Sequence, residues 1–184
     1  MNESYAHPAL FTAYPSLKEK LAWVKLGEFP TPVHPLKNVG CDNLWIKRDD
    51  QTSSLYGGNK IRKLEFLLGD AVQKNCRHVI TMGAIGTNHG LATAICCDRM
   101  GLDCSLVLFD QPVTKNVKQN LLLFKKYHAA PIYKKTILKT VLSFYLFQRF
   151  CHPNAYFIFA GGSNPVGTAG YVSAAFELRQ QIDE

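Results

Sequence analysis

The chain has 184 residues, enough for one large domain or two small ones, and its 47% hydrophobic and 19% charged residues are typical of a globular protein. The net charge of +7 could suit nucleic acid, an anionic cofactor or substrate, or solubility alone. Because the positive charges are scattered and form no basic helix or arginine-rich run, we expect no nucleic-acid partner.

The cysteines and the apolar runs indicate the compartment. The six cysteines include no C-x-x-C pair, so we expect no bound metal. Cys96, Cys97 and Cys104 lie in apolar segments and are expected to be reduced and buried. No apolar run approaches the ~20 residues of a membrane span, and no secretory signal follows Met1. We therefore expect a cytoplasmic protein with no membrane partner.

The N-terminal third has weak signals. Residues 1–16 contain Pro8 and Pro15 and predict a loosely held arm. Leu17 and Leu21 stand at helical spacing and predict a short helix that stops at Gly27. The apolar run 44–47 predicts a strand.

The most informative stretch runs from Gly57 to Phe66. After its two glycines, apolar residues recur at three- and four-residue steps and predict an amphipathic helix: Leu64, Leu67, Leu68, Ala71 and Val72. Asn59 is a suitable N-cap, which puts Lys60 in the first turn. A lysine there is electrostatically unusual, because a helix N-terminus favours anions. The position suits a nucleophilic amine, and a solvated surface lysine is the alternative.

Beyond this helix, strand and helix patterns alternate. The predicted strands are 78–82, 104–109, 130–133 and 156–160, and the predicted helices are 88–100, 115–127, 137–150 and 167–182. Strands separated by helices of this length imply right-handed βαβ units. The sequence therefore predicts an α/β fold, an open parallel sheet with helices on both faces.

Three glycine-rich turns fall at strand ends or helix starts: 57–58, 83–90 and 161–167. Ligands of open α/β sheets bind beyond the carboxyl ends of strands, so their position favours one common site, although a single such turn is usually only a tight turn. In the second turn, Thr87 can cap the next helix and Asn88 can donate to an oxyanion. His89 is either a proton carrier or a hydrogen-bonded structural residue.

Five segments occur in one order: Glu-Phe-Pro-Thr-Pro-Val (28–33), Leu-Trp-Ile-Lys-Arg-Asp-Asp (44–50), Gly-Gly-Asn-Lys-Ile-Arg-Lys-Leu-Glu-Phe (57–66), Gly-Ala-Ile-Gly-Thr-Asn-His-Gly (83–90) and Gly-Gly-Ser-Asn-Pro-Val-Gly (161–167). Together they resemble the pyridoxal-phosphate enzymes related to D-cysteine desulfhydrase and 1-aminocyclopropane-1-carboxylate (ACC) deaminase. The resemblance implies a fold like that of tryptophan synthase β. Residues 1–50 would then form the N-terminal arm and first strand of the larger domain, and residues 51–184 the lysine loop and a small α/β domain.

The resemblance also implies roles for single residues. Pyridoxal 5'-phosphate would be the cofactor, and Lys60 would form the internal aldimine beside Asn59. Asn88 would contact the phenolic oxygen of the cofactor, and Thr87 would be a second catalytic residue that faces the substrate. The expected substrate-binding residues are Thr87, Asn88, His89, Gly162 and Ser163.

The family pattern continues where this sequence stops. The phosphate-binding loop of similar enzymes, with a pattern like G-S-G-G-T, has no match here. We interpret the chain as truncated relative to the family pattern, and a fragment, a disrupted gene product or an obligate oligomer would each fit this sequence. The helix predicted at 137–150 is apolar on most faces and is expected to be covered by protein. An intact enzyme is expected to be a homo-oligomer.

We therefore predict a pyridoxal-phosphate-dependent lyase or deaminase that acts on a small amino acid. Thr87 stands where serine is common in similar enzymes, and Gly86 where glutamine is often seen, so a related branch with another substrate stays possible. The alternative is a catalytically inactive remnant or interaction module of the same fold. Without a phosphate loop, we expect little activity from the isolated chain.

Overall fold

The computed structural model describes residues 6–38, 40 and 43–183. The strands in this part of the chain are β1 (Val33–Pro35), β2 (Trp45–Lys47), β3 (His78–Ala84), β4 (Asp103–Phe109), β5 (Ala130–Lys135) and β6 (Tyr156–Ile158). The α-helices are α1 (Ala9–Ala13), α2 (Lys60–Gln73), α3 (Asn88–Met100), α4 (Lys115–Lys126), α5 (Ile137–Leu142), α6 (Gln148–Cys151) and α7 (Pro165–Asp183). A π-helical turn, Ser143–Phe147, joins α5 to α6, and we call this continuous element the 137–151 helix.

Four strands form one parallel sheet in the order β5-β4-β3-β6. The central pair is the most extensive, with β3 and β4 in register from His78 opposite Asp103 to Ala84 opposite Phe109. A separate antiparallel pair, β1 and β2, lies outside this sheet. The predicted open parallel sheet is confirmed, because every strand of the main sheet comes from the alternating half of the sequence.

The two faces of the sheet carry separate apolar cores, since side chains alternate along a strand. Val79 and Leu106 belong to the larger core, which is completed by residues of α2, α3 and α4. Ile80 and Val107 belong to a smaller core, where Phe144 of the 137–151 helix packs on them. Helices therefore lie on both faces, as predicted.

Three of the cysteines lie in the interior of the protein. Cys96, Cys97 and Cys104 are free thiols buried in the larger core, as predicted. None of the helices in the described residues combines the length and hydropathy needed to cross a bilayer. Within those same residues, no group of three His, Cys, Asp or Glu side chains could hold a metal ion.

Both α2 and α3 start where the sequence predicts, but only α3 has the predicted capping bond. Helix α3 ends at Gly101 with φ 65°, and it begins with Thr87, whose Oγ1 accepts from the Gly90 amide at 3.1 Å. Asn59, in contrast, makes no side-chain capping bond to α2. The reason is that Asn59 already has helical φ and ψ of −60° and −14°, and its Oδ1 accepts from Lys60 Nζ at 2.9 Å instead.

The prediction of a loosely held N-terminal arm is wrong for residues 9–13, which form α1. Leu10 and Phe11 are buried, and they pack with Phe66 of α2 and Ala169 of α7. Contacts with distant helices order this segment, and its local sequence gives no sign of them. The short helix predicted around residues 17–25 is reduced to a 3-10 turn, Pro15–Glu19.

Helix α2 is held against α7 at very close range. A Cβ at Gly170 would clash with the carbonyl oxygen of Arg62, so only glycine allows this approach. On another side of α2, the buried Glu65 carboxylate accepts from the Trp23 indole at 2.8 Å and from the Leu26 amide at 2.9 Å. Glycine contact and buried hydrogen bonds thus fix α2 to two other parts of the chain.

Arg62 completes this attachment through a buried ion network. Its guanidinium, 3% exposed, donates to both oxygens of Asp49 at 2.8 and 2.7 Å and to Glu177 at 2.9 and 3.1 Å. Lys47 adds a second cation, 2.7 Å from Glu177. Although burial alone would raise it, these two cations hold the pKa of Glu177 below its usual value. The network joins α2 to the segment after β2 and to α7.

We predict that Arg62→Leu lowers the free energy of unfolding by about 3–5 kcal/mol, because it leaves two carboxylates without their shared guanidinium. Urea denaturation of the two proteins measures the difference. Arg48→Leu is the matched control, since Arg48 pairs with the exposed Asp50 and should change stability little. Equal losses in both variants would contradict a special role for the network.

Candidate functional site

The predicted site residues lie beyond the carboxyl ends of β3 and β6. The segment 87–89 follows β3, the loop 161–163 follows β6, and Lys60 begins α2. Side chains of α2 and α3 reach the 161–163 loop, as described below. Two of the predicted glycine-rich turns and the start of α2 therefore meet at one end of the sheet, where open α/β sheets bind ligands.

Lys60 is half-buried, and its neighbour Asn59 is exposed. The bond from Lys60 Nζ to Asn59 Oδ1, 2.9 Å long, joins these two side chains. Gly58 precedes them with φ 140°, and Thr52 Oγ1 is 2.9 Å from its amide nitrogen and 3.0 Å from its carbonyl oxygen. The turn before Lys60 is thus built by Gly58 and Thr52. Asn59 could hold the lysine amine in place, and its role toward a cofactor stays a prediction.

Lys63 is a site residue that the sequence reasoning missed. It lies one helical turn after Lys60, and its Nζ donates to Gly161 O at 3.1 Å and to Ser163 Oγ at 2.7 Å. Burial and the charge of Lys60 lower the pKa of Lys63. The sequence did contain a signal for Lys63, namely its distance of three residues from Lys60, because residues three apart share one face of a helix. The structure thus gives the site a second lysine, which the 161–163 loop holds.

His89 is buried rather than open to solvent. Its Nε2 lies 3.2 Å from Thr81 Oγ1, and among the described residues Nδ1 has no hydrogen-bond partner. A Cβ built on Gly162 would lie 3.4 Å from the His89 ring, so the glycine loop covers the ring edge. Burial and the charges of Lys60 and Lys63 lower the pKa of His89 to about 4. The imidazole is therefore neutral at pH 7, and its role in substrate binding stays a prediction.

Thr87 and Asn88 stand at the first turn of α3. The Thr87 hydroxyl oxygen is used by its capping bond with the Gly90 amide, which leaves its proton for another acceptor. Asn88 is exposed, and its Oδ1 accepts from Asn120 Nδ2 at 3.0 Å. Its amide nitrogen is then the part of the carboxamide suited to donate to a ligand oxygen, as the resemblance implies.

Asn120 is the second residue that the sequence reasoning missed. Its Nδ2 also donates to the Gly86 carbonyl oxygen at 2.8 Å. A carbonyl can only accept, so this contact identifies the nitrogen of Asn120 and fixes the orientation of Asn88 as well. What distinguishes Asn120 is that it is a polar residue on the buried side of α4, between Val117 and Phe124. Asn120 thus acts as a support for Asn88.

The 161–163 loop needs both of its glycines. Gly161 and Gly162 have φ of 74° and 63°, a region that other residues rarely occupy. A Cβ on Gly162 would also come within 2.9 Å of Leu67 Cδ1. Ser163 is exposed and contacts Lys63 as described. The loop therefore approaches α2 and α3 more closely than any other residue type would allow.

These features fit an anionic, carbonyl-bearing cofactor such as pyridoxal phosphate. Lys60 offers an amine for covalent attachment, and Lys63 offers an ammonium group whose hydrogen bonds, within the described residues, go to two neutral oxygens, Gly161 O and Ser163 Oγ. The unpaired Nδ1 of His89 is a buried polar atom beside both lysines. Asn88 can donate to an oxyanion. The residues present thus have the chemistry that such a group requires.

Comparison with known proteins identifies the family. Residues 24–184 match the model of a family described as "Pyridoxal-phosphate dependent enzyme". The chain belongs to this family. The family's cofactor is pyridoxal phosphate, in agreement with the prediction.

Similar proteins agree with the predicted resemblance. A putative ACC deaminase of Pyrococcus horikoshii is 37% identical, over 96% of this chain and 55% of that protein. A bifunctional mitochondrial D-cysteine desulfhydrase/ACC deaminase of Arabidopsis thaliana is 37% identical, over 86% and 43%. A D-cysteine desulfhydrase of Salmonella paratyphi B is 34% identical, over 84% and 50%. The chain spans about half the length of the curated relatives it matches.

A solved structure supports the fold assignment. The crystal structure of an ACC deaminase homologue matches this chain with a TM-score of 0.79 and 37% sequence identity. The match covers 95% of this chain and 54% of that one. The predicted relationship to the ACC deaminases and D-cysteine desulfhydrases, and the fold that it implied, are therefore confirmed.

We predict that His89 makes stability depend on pH. Between its folded pKa of about 4 and its unfolded value of about 6.5, only the unfolded chain binds a proton on this ring, so stability is lost as pH falls. About 2 kcal/mol of unfolding free energy should disappear between pH 7 and pH 5. Urea denaturation at both pH values should show this loss in wild type and a smaller one in His89→Gln.

His34→Gln provides the control for this measurement, because the side chain of His34 is exposed on β1. It should keep the pH dependence of wild type. If His89→Gln lost as much stability on acidification as wild type, the buried ring would not be the group that titrates.

Proposed function

We propose that this chain holds pyridoxal phosphate on Lys60 and provides the amino-acid-binding side of a lyase or deaminase. The observation that carries the proposal is the meeting of Lys60, Lys63, neutral His89 and the 161–163 loop at one end of the sheet. If Lys60 were only a solvated surface lysine, nothing would require Lys63, His89 and the 161–163 loop to lie beside it. Membership of the family and the names of the relatives support the same assignment.

Each residue has a distinct task in this proposal. Lys60 Nζ would attach the cofactor, and Lys63 Nζ, held by Gly161 and Ser163 in this structure, would contact its anionic group. Asn88, oriented by Asn120, would donate to the cofactor's ring oxygen. Bound pyridoxal phosphate supplies the electron sink that makes the Cα–H bond of an amino acid acidic enough to break.

The substrate would be handled by residues of the first turn of α3. The Thr87 hydroxyl can donate to a substrate carboxylate, because its oxygen already accepts from Gly90. Lys60 Nζ would be the base for the Cα proton of a bound amino acid. The neutral His89 adds no third positive charge next to the two lysines. These roles suit a small amino acid, as acted on by proteins named D-cysteine desulfhydrase or ACC deaminase.

Catalytic turnover is a separate part of the proposal. The chain spans about half the length of its relatives, and the residues described above bind one side of a cofactor. We propose that this chain can attach the cofactor by itself. Turnover of D-cysteine or the cyclopropane amino acid, in contrast, would require an enzyme of the full length of the relatives. A remnant that keeps the fold without the cofactor is the alternative.

Cofactor attachment predicts a yellow absorbance band when purified chain is titrated with pyridoxal phosphate, because an imine to lysine absorbs visible light. Lys60→Ala should lack the band. Lys74→Ala is the control, since Lys74 is an exposed lysine that directly follows the same helix and pairs with Asp70, and it should keep the band. Equal bands in wild type and Lys60→Ala, or no band in either, would contradict the attachment to Lys60.

The proposal for Lys63 is tested by Lys63→Met, which keeps the length of the side chain and removes its charge. We expect the dissociation constant of the cofactor to rise about ten- to a hundredfold, since a charge-assisted hydrogen bond is lost. Lys60 is intact in this variant, so the yellow band should still appear at saturating cofactor. An unchanged dissociation constant would show that Lys63 only supports the 161–163 loop.

The proposed support of Asn88 is tested by Asn120→Leu, which preserves side-chain volume. Without its donor, Asn88 should rotate more freely and bind the cofactor oxygen less well. We expect about a two- to tenfold weaker cofactor affinity and a shift of the absorbance maximum. Asn116→Leu, at an exposed position of the same helix, should change neither quantity. Identical spectra for Asn120→Leu and wild type would exclude this support.

A further inference from the structure

Tyr171 of α7 lies beside the second lysine of the candidate site. The Lys63 ammonium nitrogen is 5.3 Å from the centre of the Tyr171 ring, within the range of about 6 Å in which a cation is attracted to the face of an aromatic ring. Tyr171 is 37% exposed, so part of its ring is open to solvent. Neither the predicted motifs nor the roles proposed above include this tyrosine.

The close contact between α2 and α7 fixes the position of Tyr171. Gly170, the residue before it, lies so near to α2 that a Cβ there would clash with the carbonyl oxygen of Arg62 and lie 3.0 Å from the amide nitrogen of Lys63. A larger residue at position 170 would therefore push the two helices apart. The approach that Gly170 allows also brings the next residue, Tyr171, to the Lys63 side chain.

The groups that hold Lys63 are neutral, among the residues that the structure describes. Its Nζ donates to Gly161 O at 3.1 Å and to Ser163 Oγ at 2.7 Å. Burial and the charge of Asp49 raise the pKa of Tyr171, so the phenol is neutral at pH 7. A carboxylate in its place would neutralise the ammonium group and compete with an anionic ligand. A ring face attracts the cation without adding a net negative charge, so the charge of Lys63 stays available to a ligand.

The ring also opposes two effects that disfavour the charge of Lys63. Burial and the positive charge of Lys60 lower the pKa of Lys63, and an amine that has lost its proton no longer attracts an anion through charge. A cation–π contact stabilises only the protonated amine. Tyr171 therefore favours the form of Lys63 that can bind an anion.

We propose that Tyr171 is a positioning residue of the candidate site: its ring and the 161–163 loop together hold the Lys63 ammonium group where it can bind an anion. This inference rests on the proposed function, in which Lys63 contacts the anionic group of the cofactor. Contacts with two different elements, the loop after β6 and helix α7, leave the flexible lysine side chain few other positions. A donor that is already in position loses less conformational entropy when the ligand binds.

Titration of Lys63 by NMR tests the role of the ring without any cofactor. The protein is labelled with ¹³C-lysine, the Lys63 Cε signal is assigned by its loss in Lys63→Met, and its chemical shift is followed against pH. In Tyr171→Leu, we expect the titration midpoint to fall by about half a pH unit, because the protonated amine loses its cation–π contact. Tyr171→Phe keeps the ring and should keep the midpoint of wild type. Equal midpoints in Tyr171→Leu and wild type would overturn the proposal.

The affinity for pyridoxal phosphate tests the consequence for ligand binding. Titrations that follow the yellow band should give a dissociation constant about three- to tenfold higher for Tyr171→Leu and within about twofold of wild type for Tyr171→Phe. An equal increase in both variants would assign the effect to the hydroxyl group and not to the ring. No increase in Tyr171→Leu would show that the ring does not assist binding. Either result would overturn the proposal.

Tyr127→Leu is the matched control. Lys126 Nζ lies 5.4 Å from the centre of the Tyr127 ring, so this pair also places an ammonium group over a tyrosine. It stands where α4 ends and β5 is about to begin, at the end of the sheet opposite to the candidate site. Tyr127→Leu should change neither the Lys63 midpoint nor the cofactor affinity, while thermal unfolding verifies that every variant is folded. Effects as large as those of Tyr171→Leu would contradict a specific role of Tyr171.

The two measurements separate this proposal from the proposed function. If wild type gives no yellow band, attachment of the cofactor to Lys60 fails, whereas the Lys63 titration still supports or overturns the role of the ring. If the band forms in wild type and Tyr171→Leu changes neither the midpoint nor the affinity, the role of Tyr171 fails and the attachment to Lys60 stands.

Discussion

The buried guanidinium of Arg62 is the interaction on which the position of the site depends. It joins α2 to Asp49, which follows β2, and to Glu177 in α7. Lys60 lies two residues before it and Lys63 directly after it, so the same helical turn that is fixed by Arg62 carries both lysines. A buried ion network gives modest net stability but strongly favours one arrangement of its partners. Here that arrangement fixes the start of α2 relative to α7.

The parts of the fold set by local sequence could be predicted. The parallel sheet followed from the alternation of strands and helices, and the start of α3 followed from Thr87. Helix α2 begins at Lys60, as predicted, but the predicted capping bond is absent, because a side chain can cap a helix only if its own backbone lies outside the helical region, and Asn59 is inside it. Helix α1 was missed, because Leu10 and Phe11 are ordered by packing on α2 and α7.

The sequence predicted the motif residues of the candidate site, but it did not predict the residues that hold them in place. Lys60, Thr87 and Asn88 stand in recognisable segments, and the structure brings their segments to one end of the sheet. Lys63 and Asn120 were missed, because hydrophobic periodicity assigns charged and polar residues to the outside of a helix. Lys63 contacts the chain about a hundred positions later, and no local pattern contains that information. The burial of charged residues in α2 is therefore the main feature of the site that the sequence did not predict.

The electrostatics of the site argue for an anionic ligand independently of any resemblance. Lys60 and Lys63 are close enough for each to act on the His89 ring, and the nearby carboxylates of Asp49 and Glu177 are already paired with Arg62 and Lys47. Two like charges in a partly buried place repel each other, and the cost increases as water is excluded. An anion that contacts both ammonium groups would remove that cost. Among the residues that the structure describes, both ammonium groups bond to neutral oxygens and not to a carboxylate, which supports the proposal that they bind a negatively charged group such as the phosphate of the cofactor.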